Sequence, residues 1–201
     1  MNMILPQVQA YLYQANAGTA TMSDKIIDQA AEDFKTALRK HFTPKEPREF
    51  KPSMSSIGRP LCQQQMEKAG AERSSDGYEL SFKFLIGDMI EVAAKSIMRG
   101  AGISIEGEAE RVSMKLGGEE INGEYDIDVG GVWDIKSTSD YAFKYKYNTS
   151  GAFDKLASDD PFGYVPQGYL YGRASGKPFK GWIAISKNTG EWAVVETPSE
   201  G

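Results

Sequence analysis

Residues 123–139 read GEYDIDVGGVWDIKSTS, and the fold turns on how this stretch is taken. Val, Ile, Tyr and Trp favour strands, and two runs of them flank Gly130-Gly131, so the spacing predicts a β-hairpin. Yet Asp126, Asp128, Asp134 and Lys136 interrupt residues that belong in a core. Side chains alternate along a strand, so Asp126 and Asp128 share one face, as do Asp134 and Lys136. The loop decides whether the two faces coincide. A two-residue Gly130-Gly131 loop pairs 129 with 132 and puts the two strands' aspartates on opposite sides. A three-residue loop over 129–131, with Gly131 in the left-handed conformation, pairs 128 with 132 and sets Asp126 across from Asp134. Opposed carboxylates repel, and a cation between them removes the objection. Two carboxylates and a nearby carbonyl form a hard-oxygen site suited to Mg²⁺ or Mn²⁺, with the Lys136 ammonium beside it. The competing reading is a solvated outer sheet face.

Working outward, Ile26, Ile27, Ala30, Phe34 and Leu38 recur at helical spacing between a Ser23 cap and His41. A Pro-rich connector, TPKEPREFKPS, follows, then a short helix over 59–69 and a longer one over 78–99 that ends at Gly100 and Gly102. Strands are expected near 103–106, 109–116, 120–129 and 132–137. PFGYVPQGYLYGRASG (161–176) reads as a helix with Pro166 in its first turn and Gly176 past its end. GWIAISK and EWAVVE are two further strands around an Asn-Thr-Gly turn. The expected class is α/β, a mixed sheet flanked by helices. The expected division is a helical extension and basic linker over 1–52, then a core over 53–201.

The 201 residues include 40% apolar ones, enough for a core. A net charge of −5 and a pI near 5.1 give no bulk attraction to nucleic acid or anionic membrane, so any such site is local. The single Cys62 excludes an internal disulfide framework and a four-cysteine cluster, and it is expected to be a small buried residue. No apolar run of about 18 residues predicts a membrane helix. MNMILPQVQAYLY is a poor signal peptide, so a reducing cytoplasmic setting is expected. The lone His41 stands in a polar linker, which disfavours Ser-His-Asp chemistry. Two stretches are locally basic: RKHFTPKEPREFK (39–51), and YAFKYKY (141–147), where Lys144 and Lys146 alternate with Tyr145 and other rings. Aromatics beside lysines stack bases while the lysines hold phosphates; the alternative is that half the rings are core.

The string Asp126-x(7)-Asp134-Ile135-Lys136, with apolar flanks, resembles the core of the PD-(D/E)xK nuclease superfamily. Gln167 and Tyr171, one helical turn apart, match the Gln-x-x-x-Tyr pair of its RecB-like and lambda-exonuclease-like branches. Gly87 and Glu91 match the upstream Gly-x-x-x-Glu helix, and SSIGRPLCQQQ is similar to the Ser-rich segment before it. The resemblance spans 53–195. It implies a restriction-endonuclease-like core in the order α-β-β-β-α-β, and DNA phosphodiester hydrolysis with Mg²⁺ or Mn²⁺. Glu91, Asp126, Asp134 and the Ile135 carbonyl would hold metal; Lys136 would act on water or phosphate; Gln167 and Tyr171 would steady the site. Ser56, Arg59, Lys144, Lys146 and Tyr145 are the candidates for nucleic-acid contact. An iron–sulfur cluster, present in some relatives, is excluded by Cys62 standing alone. The implied setting is an exonuclease of recombination, repair or phage DNA metabolism in a bacterial or phage-infected cell, working as a ring or with a recombination partner. The alternative is an inactive nucleic-acid-binding or assembly protein that keeps the fold; intact Asp126, Asp134 and Lys136 favour the enzyme.

Overall fold

A computed structural model describes residues 3–44, 50–71 and 77–198. The chain falls into two compact units, Met1–Glu46 with Ser75–Ile105, and Pro47–Ser74 with Glu106–Gly201. The units are composed otherwise than the expected 1–52 and 53–201, because the long helix over 78–100 groups with the N-terminal helices. No helix among the described residues is long and apolar enough to cross a membrane.

The first unit holds α1 (Ile4–Asn16), α2 (Asp24–Phe42) and α5 (Tyr78–Gly100). Ser23 stands at the N-cap of α2 with extended backbone, but its side chain makes no capping bond. His41 does not lie in a linker: it closes the last turn of α2, where its Nε2 sits 2.9 Å from Asp88 Oδ2 on α5. Lys40 reaches the same oxygen at 3.1 Å. Lys45 and Arg48 of the expected basic connector lie outside the described residues.

The second unit begins with two short helices, α3 (Met54–Ile57) and α4 (Leu61–Lys68). Cys62 is exposed on α4, not buried as expected. The sheet follows: β1 (Gly107–Leu116), β2 (Glu119–Asp128), β3 (Val132–Thr138), β4 (Phe179–Ser186) and β5 (Trp192–Glu196), neighbours in chain order. The strand expected at 103–106 does not form; β1 starts at Gly107. All pairings are antiparallel except β3–β4, which is parallel. A parallel neighbour needs a long crossover. This one runs through α6 (Asp140–Ala142), a π-helix (Phe143–Tyr147), α7 (Ala152–Ser158) and α8 (Tyr164–Ser175). Thus YAFKYKY is helical, with Phe143 and Tyr147 in the core and Tyr141 and Tyr145 exposed.

Met54, Ile121, Tyr125, Val132, Phe143 and Trp182 form the centre of one buried cluster between sheet and helices. Each such side chain contributes about 2–3 kcal/mol by leaving water. Gly58 and Gly163 let two backbones meet: a Cβ on Gly58 would stand 2.3 Å from the Gly163 Cα. The segment carrying α3 is thereby pinned to the start of α8.

The β1–β2 ladder lapses once, between Glu108↔Ile127 and Glu110↔Tyr125. Ala109, at the lapse, has φ +47°, a left-handed conformation that strains a side chain with a Cβ. Ala109→Gly should therefore raise stability by about 1 kcal/mol, measured by urea denaturation. An unchanged midpoint would mean that the backbone relaxes without strain.

Candidate active site

The β2–β3 turn takes the three-residue form. Asp128 pairs with Val132 and Ile127 with Trp133, and this register, carried one residue further, sets Asp126 against Asp134. Gly130 supplies the left-handed residue at φ +61°, while the expected Gly131 takes φ +135°, a region more nearly confined to glycine. Asp128 builds the turn. It is buried, its Oδ1 accepts the Gly131 N–H at 2.8 Å, and Lys177 Nζ lies 2.6 Å from its Oδ2. Burial pushes its carboxyl up, but the Lys177 and Gly131 hydrogen bonds and the Lys177 charge outweigh this and hold it below the usual range.

A group with a depressed folded pKa stabilises above its unfolded value and loses that contribution as pH falls through the folded one. Asp128→Ala should cost about 1–3 kcal/mol at pH 7, because the Gly131 N–H loses its acceptor. The gap to the parent should narrow below about pH 4. Thermal unfolding across pH checks this, and a gap that widens in acid would contradict the assignment.

Asp126 leaves the ladder. Its Oδ2 accepts the Ile135 N–H at 2.5 Å, so a carboxylate stands where a strand carbonyl would. Asp134 is 3% exposed and Lys136 lies two residues on, both on the sheet face shared with Trp182 and Ala184 of β4. Lys136 Nζ donates to Asp134 Oδ1 at 3.0 Å and stands 2.7 Å from Oδ2, which has no hydrogen bond of its own. Burial disfavours the Lys136 charge, but Asp134 and then Asp126 overcome it and raise the ammonium's pKa well above the ordinary value. Burial raises Asp134, against Lys136.

Helix α8 supplies the wall. Gln167 Nε2 donates to Tyr171 Oη at 2.6 Å, and both are buried. Burial, opposed by that hydrogen bond and aided by Asp134 and Asp126, pushes the Tyr171 hydroxyl up to about 12. Tyr164, one turn earlier, places its ring 4.3 Å from Lys136 Nζ, a cation–π contact. Burial raises the Tyr164 hydroxyl, and the charges of Lys136 and Arg59 act against this. Arg59 is half-buried and, among the described residues, has no carboxylate partner. Asp160 fixes the start of α8 by accepting the Tyr164 and Val165 N–H groups at 2.8 Å each. Burial also raises Tyr147, and Tyr164, Lys136 and Asp134 all act on it.

The structure therefore brings together Asp126, Asp134, Ile135, Lys136, Gln167 and Tyr171, within reach of Arg59. Glu91 belongs to the helical unit, where Lys95 Nζ donates to its Oε1 at 3.0 Å. That pairing accounts for a carboxylate at the edge of an apolar arc. Ser56 is buried in its own turn, accepting from the Ser53 N–H and donating to the Ser53 carbonyl, both at 2.9 Å, so it offers nothing to phosphate. Lys144 is ion-paired with Asp140 at 3.0 Å and Lys146 with Asp159 at 2.6 Å. Their charges are already balanced. Tyr145 is exposed and its ring centroid lies 4.5 Å from that of Tyr141. Sequence reading missed Tyr164, although it stands three residues before Gln167 and so on the same helix face. It also missed Asp160, although its partners stand only four and five residues on, and Lys177, whose contact with Asp128 is distant in the chain.

Among the described residues no group of three or more His, Cys, Asp or Glu stands in metal-holding arrangement. The buried Asp134 Oδ2 without a hydrogen bond, beside Asp126 and the Ile135 backbone, nonetheless fits a hard cation such as Mg²⁺ or Mn²⁺.

No family model matches the chain. No curated protein matches it either. Among solved structures, "Crystal structure of SSO0001" is similar at a TM-score of 0.48 and 12% identity, the likeness covering 85% of this chain and 78% of that one. What the chain itself shows is an α/β protein with a five-stranded mixed sheet flanked by helices.

Proposed function

We propose that this chain is a metal-dependent deoxyribonuclease with a restriction-endonuclease-like core. The observation that carries the reading is the convergence of Asp126, Asp134 and Lys136 at one point of the β2–β3 pair. Two carboxylates around one ammonium leave a net negative site, which a divalent cation completes. The order α5, β1, β2, β3, α8, β4 and the buried Gln167–Tyr171 pair support the same reading.

Asp126, Asp134 and the Ile135 carbonyl would hold Mg²⁺ or Mn²⁺, which when bound supplies an acidified water and neutralises phosphate charge. Lys136 stays protonated, so it is a donor and not a base. It orients the attacking water or meets the charge that grows on the phosphate oxygens. Tyr164 and Asp134 fix where that ammonium points. Gln167 and Tyr171 form a rigid, buried wall behind the carboxylates, and Arg59 offers a phosphate contact.

The test is incubation with Mg²⁺ or Mn²⁺ and end-labelled DNA, single- and double-stranded, linear and circular, with Lys136→Ala in parallel. Metal-dependent release by the parent alone is expected, and loss of signal on circles identifies an exonuclease. Binding without release in either metal would favour the non-catalytic alternative.

A further inference from the structure

On an acidic chain a nucleic-acid surface requires a local group of cations without acidic partners. The lysines of YAFKYKY are each tied to an aspartate, as is Lys136. On α8 the situation differs. Tyr169 and Arg173 lie one turn apart, roughly 200° around the helix from Gln167 and Tyr171. Their face borders a groove of about 890 Å³ that Lys177, Lys180, Glu196 and Thr197 also line. Apart from Lys177, which Asp128 already pairs, two cations, Arg173 and Lys180, face one carboxylate, Glu196, there. Arg173 and Lys180 are exposed and, among the described residues, neither has an ion-pair partner. Lys177 is held in place by Asp128. Tyr169, 41% exposed, presents a ring on the same wall.

We propose that this groove holds the phosphodiester backbone of a nucleic-acid strand outside the cleavage site. Arg173 and Lys180 contact successive phosphates, and Tyr169 offers a ring to a base. Groove and cleavage site share α8 and the β2–β3 turn, because Lys177 anchors Asp128 while Asp126 faces Lys136. A strand lying in the groove is about one helix diameter, roughly 10 Å, from the carboxylates. The choice of a strand over a small anion rests on the nuclease reading; the charge and shape of the groove do not.

The experiment measures binding of labelled single-stranded and duplex oligonucleotides in chelator, so that no cleavage is needed. The chains compared are the parent and the double variant Arg173→Gln, Lys180→Gln. The double variant should bind about tenfold more weakly at 0.1 M salt, and its log–log salt slope should be smaller by about 2. Both positions are exposed, so an unchanged melting point confirms that folding is intact. Equal affinity and slope would overturn the proposal, as would a parent that binds neither oligonucleotide. Displacement by inorganic phosphate at matched ionic strength would show a single-anion site and overturn the strand. If the double variant loses binding while the parent never cleaves, the groove stands and the nuclease reading falls. If the parent cleaves and the double variant binds normally, the reverse holds.

Discussion

Lys136→Ala is expected to lower metal-dependent DNA cleavage by at least about 10²–10³-fold, the usual cost of removing one donor aimed at developing charge. The same change leaves Asp134, 3% exposed, with its ammonium gone. An uncompensated buried charge costs about 3–5 kcal/mol. Asp134 escapes part of that cost by taking up a proton, since burial already raises its pKa. The loss of stability should thus shrink as pH falls and Asp134 takes up a proton, and be largest at alkaline pH. A second chain separates chemistry from stability: Lys136→Met with Asp134→Asn removes both charges, and it should regain most of the stability and none of the activity. Kinetics and chemical denaturation on the two chains decide the matter. Lys136→Ala that cleaves near the parental rate would remove Lys136 from the mechanism.

Asp126→Asn should abolish cleavage yet leave the protein as stable as the parent or slightly more so in chelator. Asn keeps an oxygen for the Ile135 N–H, the bond Asp126 makes at 2.5 Å. It also removes one of two negative charges around a single ammonium. Asp126→Ala is the contrast: the Ile135 N–H loses its acceptor, at about 1–3 kcal/mol. A solvated outer face would instead leave activity untouched and stability within about 0.5 kcal/mol for either change. Mn²⁺ titration in the same variants gives an independent readout, with Asp126→Asn binding more weakly than the parent. Asp128→Asn should keep far more activity, because Asp128 is occupied by Gly131 and Lys177. An active Asp126→Asn beside a dead Asp128→Asn would exchange the two roles.

The hairpin was readable because its information is local. Alternation places the charges on the strand faces, and the glycines at 130 and 131 confine the loop to two or three residues, of which the three-residue form is observed. The Gln167–Tyr171 pair was legible only through its resemblance to a family motif, because one helical turn sets many surface pairs at the same spacing. What went unread was partly local and partly tertiary. Ser56 looks like a phosphate ligand until its own turn consumes its hydroxyl. The lysines of YAFKYKY look free until the crossover brings Asp159 to Lys146. Glu91 looks unpaired until α5 forms and Lys95 comes beneath it. His41 looks like linker because the carboxylate it meets, Asp88, is 47 residues away. Pairings such as Lys146–Asp159 and His41–Asp88 leave no periodic trace, whereas Glu91–Lys95 stands at helical spacing and was legible.

The approach of Gly58 to Gly163 also sets an order of events in folding. The two glycines are 105 positions apart (163 − 58), yet their backbones touch. The segment around Arg59 leaves the ribosome early; Ser53 and Met54 can meet Asn122 and Gly123 of β2, but Gly58 gains its partner only when α8 has been made. Closing so long a loop is entropically slow, and the parallel β3–β4 pair, joined only through the same crossover, adds to the delay. Local hairpins such as β1–β2 can form first. The wall that α8 supplies is therefore among the last parts of its unit to assemble. A nascent chain carries Asp126 and Asp134 before Tyr164, Gln167 and Tyr171 have been made, so the pocket around the carboxylates closes only after α8 has emerged.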